Sequence, residues 1–263
     1  MFGVQDTNGK TIDLQRTFVS TSKIVWLTKF LLVLFGISGI VIDISNENFP
    51  DFWLAFLTHW GELIGTYYLI MSFVVSLGRF PVLSGEDEKG ASTGTALTKI
   101  VWGLFPAILT LQTIIILVYW LTVYDGGTII YDQIFGHGLL YLAIAFDGHV
   151  LNRTPIRMKQ ILFLYIIAIT YIIWTLIHGL ATDIGNPKNV DRTPDGDDDA
   201  LYGVINWTER PLSTFITLTI LLVVAGPLFF SIYFGVSVVI PRRYLPEKKE
   251  ETGTGGNEFV DEL

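Results

Sequence analysis

The sequence has no cysteine. That absence excludes a disulfide scaffold, thiolate metal sites, a cysteine nucleophile and palmitoylation together. Charge is scarce as well: charged side chains make up 16% of the 263 residues, against 51% hydrophobic and 14% aromatic. Soluble domains carry about 25% charged residues, so this balance, with a mean hydropathy of +0.51, points to an integral membrane protein. The net charge is −8, and no basic stripe of the kind that holds nucleic acid is present. The polar first 22 residues lack an apolar run ending in a small-residue cleavage site, so no cleaved signal peptide is expected. Alternation over about ten residues is also missing, which argues against a membrane β-barrel.

What the chain does have is long apolar runs. A bilayer core needs about 20 predominantly apolar residues per helix, and six segments meet that need, near 24–44, 52–77, 97–124, 129–150, 161–180 and 213–240. The expected architecture is all-α and polytopic: a polar N-terminus over 1–23, a membrane domain over 24–240 and a polar tail over 241–263. Pro106 and Pro227 fall inside two spans and should kink them. Of the 17 basic residues, all but Lys188, Arg192 and Arg210 fall on one side of this six-span layout. By the positive-inside rule both termini are then cytosolic. The loop over 181–212 becomes the largest outer feature. Its Asp195–Asp199 run lacks the spacing of an EF-hand and is read as a solvated acidic loop, so no metal is assigned. Asn206 heads an Asn-Trp-Thr sequon on the outer face and is a possible glycosylation site.

Ionisable groups at membrane depth cost about 2.5 to 3.5 kcal/mol each on insertion scales, and those retained tend to face inward and to be functional. His59, Glu62, Gln112, His137, Asp147 and His178 stand out, with His149 read as interfacial and Asp147 as a partner for Arg153, Arg157 or nearby backbone. In the stretch "AFLTHWGELIG", 55–65, Thr58 and Glu62 are four residues apart and share one helix face. At roughly 1.5 Å per residue, Thr58 lies about 9 Å deep in the second span and His137 about 12 Å deep in the fourth. The two levels match. A threonine hydroxyl becomes a nucleophile when a base takes its proton, and neutral imidazole is the usual base near pH 7. Thr58 facing His137 would meet that requirement, with Glu62 or His59 as orienting groups. Packing between glycines 136 and 138 is the structural alternative for His137.

Three stretches also carry a resemblance: "HGLLYLAIAFDGHVLNRTPIR" (137–157), "YIIWTLIHGLATDIG" (171–185) and "YGVINW" (202–207). Together they resemble the Rolling stone family of multi-span proteins. The layout is similar to the androgen-induced-protein family, six-span hydrolases that cleave fatty acid esters of hydroxy fatty acids with a membrane-embedded Thr and His. That second resemblance implies Thr58 in "FLT" as nucleophile, His137 in "FGHG" as base and His178 in "LIHG" as a supporting residue. The acidic stretch 186–200, His59 and Glu62 depart from the hydrolase pattern. The leading expectation is therefore an intramembrane lipid-ester hydrolase needing no cofactor, with membrane lipids as its partners. The Rolling stone resemblance implies an alternative, a non-catalytic interaction or cell-fusion protein working through its outer loops with membrane protein partners. A minor alternative makes His59, His137 and His178 haem or proton-relay ligands.

Overall fold

The computed structural model describes residues 4–5, 11–12, 17–46, 50–77, 96–180, 202 and 205–240. A short antiparallel pair, β1 (Val4–Gln5) with β2 (Thr11–Ile12), precedes the helices. Helix α1 spans Lys23–Asn46. A 3-10 turn at Pro50–Ala55 leads into α2, Leu57–Ser76. Helix α3 runs from Ala96 to Val118 and ends in a π turn, Tyr119–Val123. The next helical segment, α4, covers Tyr131–Leu151 and contains two π turns, Phe135–Leu139 and Phe146–Leu151. Helix α5 is Ile161–Leu180, entered through a 3-10 turn at Met158–Gln160. Finally, α6 covers Pro211–Val239 with a π turn at Leu221–Ala225.

Packing sorts these helices into inner and outer members. Helix α2 lies against α1, α3 and α4, while α3 also touches α5 and the second half of α6. The core forms where they meet: Tyr68 and Leu69 of α2, Phe105, Ile108 and Leu109 of α3, and Phe135, Leu140 and Ile144 of α4 are 0–2% exposed. By contrast, Leu31 and Val41 of α1, Ile166 and Ile173 of α5, and Phe215 and Val223 of α6 are exposed, each 52–65%. Apolar surface on that scale, spread over whole helix faces, is what a bilayer covers.

Among the described residues five helices are long and apolar enough to cross a membrane: Lys23–Asn46, Ala96–Val123, Tyr131–Leu151, Met158–Ile177 and Pro211–Val239. The chain is an all-α, polytopic membrane protein, but the expected six spans are corrected to five. The segment expected at 52–77 falls short because His59, Glu62, Thr66, Ser72 and Ser76 make it too polar; all five are buried among its neighbours. The placement of both termini in the cytosol rested on six crossings and falls with them. The loop at 78–95, the tail from 241 and the acidic run Asp195–Asp199 lie outside the described residues.

The two prolines behave differently. Pro106 sits inside an unbroken α3. A proline deprives the carbonyl four residues back of its donor, here Trp102, and Gln160 Nε2 supplies the missing hydrogen bond at 2.7 Å. Pro227 follows directly on the π turn Leu221–Ala225, where the helix widens before the ring.

Candidate active site

Thr58 occupies the second position of α2, and its neighbours in space come from α4 and the segment before α6. The α4 backbone departs from helical geometry at His137 (φ −112°, ψ 30°), inside the π turn Phe135–Leu139. Such turns re-aim one side chain and recur at functional sites. Gly136 makes the approach possible: a Cβ there would collide with the Glu62 carboxylate and come within 2.9 Å of Thr58 Cγ2. With only hydrogen at that position, α2 packs directly on the π turn.

The result is a hydrogen bond of 3.0 Å between Thr58 Oγ1 and His137 Nε2. The other ring nitrogen, Nδ1, lies 3.0 Å from the Gln133 carbonyl. A carbonyl can only accept, so in the neutral imidazole Nδ1 carries the hydrogen and Nε2 is left as the acceptor. Thr58 must then donate. This is the tautomer in which a histidine can take a proton from a hydroxyl. Two further contacts hold the residue in place. Tyr119 stacks on it with ring centroids 3.5 Å apart, the Trp120 indole donates to the His137 carbonyl at 3.0 Å, and His137 itself is only 8% exposed.

The pair opens on a cavity of about 230 Å³ lined mainly by α3, α5 and α6. Its walls are overwhelmingly apolar, with Leu111, Ile115, Leu164 and Leu218 among them, and Thr58, His137, Tyr171 and Tyr202 bring polar groups to one end. Such a shape accepts an apolar chain and presents its polar terminus to a few fixed donors and acceptors.

The remaining site residues expected from sequence are distributed as follows. His59 is engaged by Trp53 and Asp43. Its Nδ1 meets the Trp53 carbonyl, its Nε2 lies 3.2 Å from Asp43, and its ring stacks on Trp53 at 4.4 Å. The Trp53 indole in turn donates to Asp43. Glu62 is 1% exposed with one carboxylate oxygen unpartnered, and Gln112 has no hydrogen bond from either side-chain atom. The contact that orients the imidazole is thus the Gln133 carbonyl, where Glu62 or His59 was expected. The side chain of His178 lies outside the described residues. Asn206 is 6% exposed and folded into its own turn, its Oδ1 accepting from Thr208 and Glu209. Asp147 pairs with Lys29 of α1 at 2.9 Å, in place of the expected Arg153 or Arg157. Among the described residues no group of three or more His, Asp or Glu could hold a metal ion.

Gln133, Tyr119, Gly136 and Tyr202 escaped the sequence reading. Gly136 had a visible signal, the glycines flanking His137, but it suggested packing alone. A main-chain carbonyl such as that of Gln133 leaves no trace in residue type. No family model, curated protein or solved structure matches the chain.

Proposed function

We propose that this membrane protein is an intramembrane threonine-type hydrolase of lipid esters, the chemistry implied by the resemblance to the androgen-induced-protein family. The observation that carries this reading is the Thr58–His137 hydrogen bond at the mouth of an apolar cavity. A buried hydroxyl–imidazole pair could be mere packing glue. Against that, the imidazole is held by a ring stack and a carbonyl in the one tautomer that accepts from threonine, and the acceptor faces space sized for a ligand.

In the proposed reaction the acyl chain lies in the cavity with its ester carbonyl beside Thr58. The Thr58 oxygen attacks the carbonyl carbon as His137 Nε2 takes the hydroxyl proton. The tetrahedral intermediate collapses, the ester C–O bond breaks, and the imidazolium returns its proton to the departing alcohol. Water then attacks the acyl-threonine with His137 again as base, releasing the fatty acid and regenerating the hydroxyl. Gln133 keeps the ring oriented throughout by accepting from Nδ1–H, a role a carbonyl performs without changing its own protonation.

The test is labelling of the detergent-purified protein by a fluorophosphonate probe for serine and threonine hydrolases. Labelling of the wild type, lost in both Thr58→Ala and His137→Ala, is the expected result. Labelling that survives either substitution, or a wild type that neither labels nor hydrolyses long-chain esters, would overturn the proposal.

A further inference from the structure

Tyr202 reaches the site from the segment before α6. It is held there by its own backbone: Ile205 N–H donates to the Tyr202 carbonyl at 2.8 Å, and the next residue, Asn206, is clasped by Thr214 Oγ1 through both its N–H and its carbonyl at 2.8 Å. Trp207 fixes the same segment to α5 through Thr175 at 3.1 Å. The Tyr202 hydroxyl accepts from the N–H of Leu57, the residue before Thr58, at 3.0 Å, and Tyr202 lines the same cavity as Thr58, His137 and Tyr171. Tyr171 spends its own proton on the Ala55 carbonyl at 3.1 Å.

The directions of these bonds are dictated by hydrogen inventory. Thr58 has one hydroxyl proton, and with His137 Nε2 bare that proton points at the imidazole. The Thr58 oxygen therefore has only lone pairs to offer any other group. Tyr202, whose oxygen accepts from Leu57 N–H, does not use its own proton in that bond. That proton is available at the polar end of the cavity, where Tyr202 lies with Thr58 and His137. Accepting from the N–H polarises the phenol and strengthens it as a donor.

We infer that Tyr202 is a further catalytic residue, donating its hydroxyl proton in a hydrogen bond to the oxyanion that forms when Thr58 adds to an acyl carbonyl. This rests on the hydrolase reading proposed above. When the Thr58 oxygen becomes bonded to the acyl carbon, its lone pair is committed and negative charge moves to the adjacent carbonyl oxygen. Tyr202 lines the cavity beside Thr58, and its hydroxyl donates to that oxygen in a hydrogen bond without proton transfer, so no covalent bond is made or broken at the phenol. Burial pushes the Tyr202 hydroxyl pKa above its ordinary value, so the phenol keeps its proton well past neutrality. One preorganised donor of this kind contributes about 10²–10³ in kcat.

The experiment compares hydrolysis of a p-nitrophenyl long-chain ester by the full-length wild type, Tyr202→Phe and a variant with a ring-fluorinated tyrosine at 202. The phenylalanine variant is expected to lose about 10²-fold or more in kcat with KM little changed and unfolding temperature retained. Fluorination acidifies the phenol, so activity in that variant should fall at lower alkaline pH than in the wild type, which a merely structural tyrosine would not produce. Wild-type kcat in Tyr202→Phe, or an unmoved alkaline limb in the fluorinated variant, overturns the inference while leaving the hydrolase intact. A wild type without turnover removes the hydrolase reading and this inference with it.

Discussion

Helix α2 carries two polar clusters, and they are built on opposite terms. Towards its C-terminal end Ser72 and Tyr68 belong to a sealed network around the Lys29–Asp147 ion pair, both members 1% exposed. Asp147 Oδ2 accepts from Tyr68 at 2.8 Å, Ser72 at 2.7 Å and Asn152 at 2.8 Å, and Lys29 Nζ also donates to Ser72 Oγ at 2.6 Å. None of these residues lines the cavity beside Thr58. Roughly 21 Å away along the helix, Thr58 and His137 are held as firmly but stand at the edge of open space. The contrast teaches that a buried polar group is not by itself a site. A saturated network locks helices together, whereas an oriented acceptor beside an empty volume can act on something that enters it.

Substitutions can break that contrast from either side. The largest expected effect is on turnover at the open cluster: Thr58→Ala abolishes ester hydrolysis, and His137→Ala lowers kcat by about 10²–10⁴-fold, both with near-native unfolding temperatures. Next comes stability at the closed cluster. Asp147→Leu leaves the Lys29 charge buried without a partner, which costs about 3–5 kcal/mol, read as loss of folded protein in a detergent melt. The double variant Lys29→Met with Asp147→Leu should regain most of that stability. Activity per folded molecule should be unchanged in it, because no atom of this network touches Thr58. If the double variant were folded but inactive, the separation of the clusters would be wrong.

Smaller effects sharpen the geometry of the open cluster. Gly136→Ala forces a methyl group into Glu62 and Thr58. The resulting shift of α2 from the π turn should lower kcat by about 10²-fold, the usual penalty for a misplacement near 1 Å, and exceed its effect on unfolding temperature. Tyr119→Leu removes the ring stacked on His137, a contact worth about 0.5–1.5 kcal/mol. Its kcat should drop by about the tenfold that this energy allows, measurable in the same assay.

Much of this was legible in the sequence, and the limits are physical. Thr58 and His137 could be paired because each lies within about two turns of the start of its helix, a level that does not depend on the number of crossings. The ends of α1, α5 and α6 lie within a few residues of the expected boundaries because lipid-facing helices must be apolar throughout. Helix α2 resembles a further span because its C-terminal half is apolar, but His59, Glu62, Thr66, Ser72 and Ser76 make it too polar over its whole length to count with the five. Lys29 looked like one more basic residue near a terminus; only the packing of α1 on α2 shows that it neutralises Asp147. Tyr202 lies beyond the long loop after α5, and no periodicity links it to Thr58.

The most direct measurement is peptide mapping by mass spectrometry after reaction with a long-chain aryl carbamate, whose carbamoyl group leaves a threonine slowly. Thr58 as the only carbamoylated residue in the wild type, with no adduct in His137→Ala, is the expected result. Ester turnover with the carbamoyl group on any other side chain, or with Thr58 unmodified at full inhibition, would contradict Thr58 as the nucleophile.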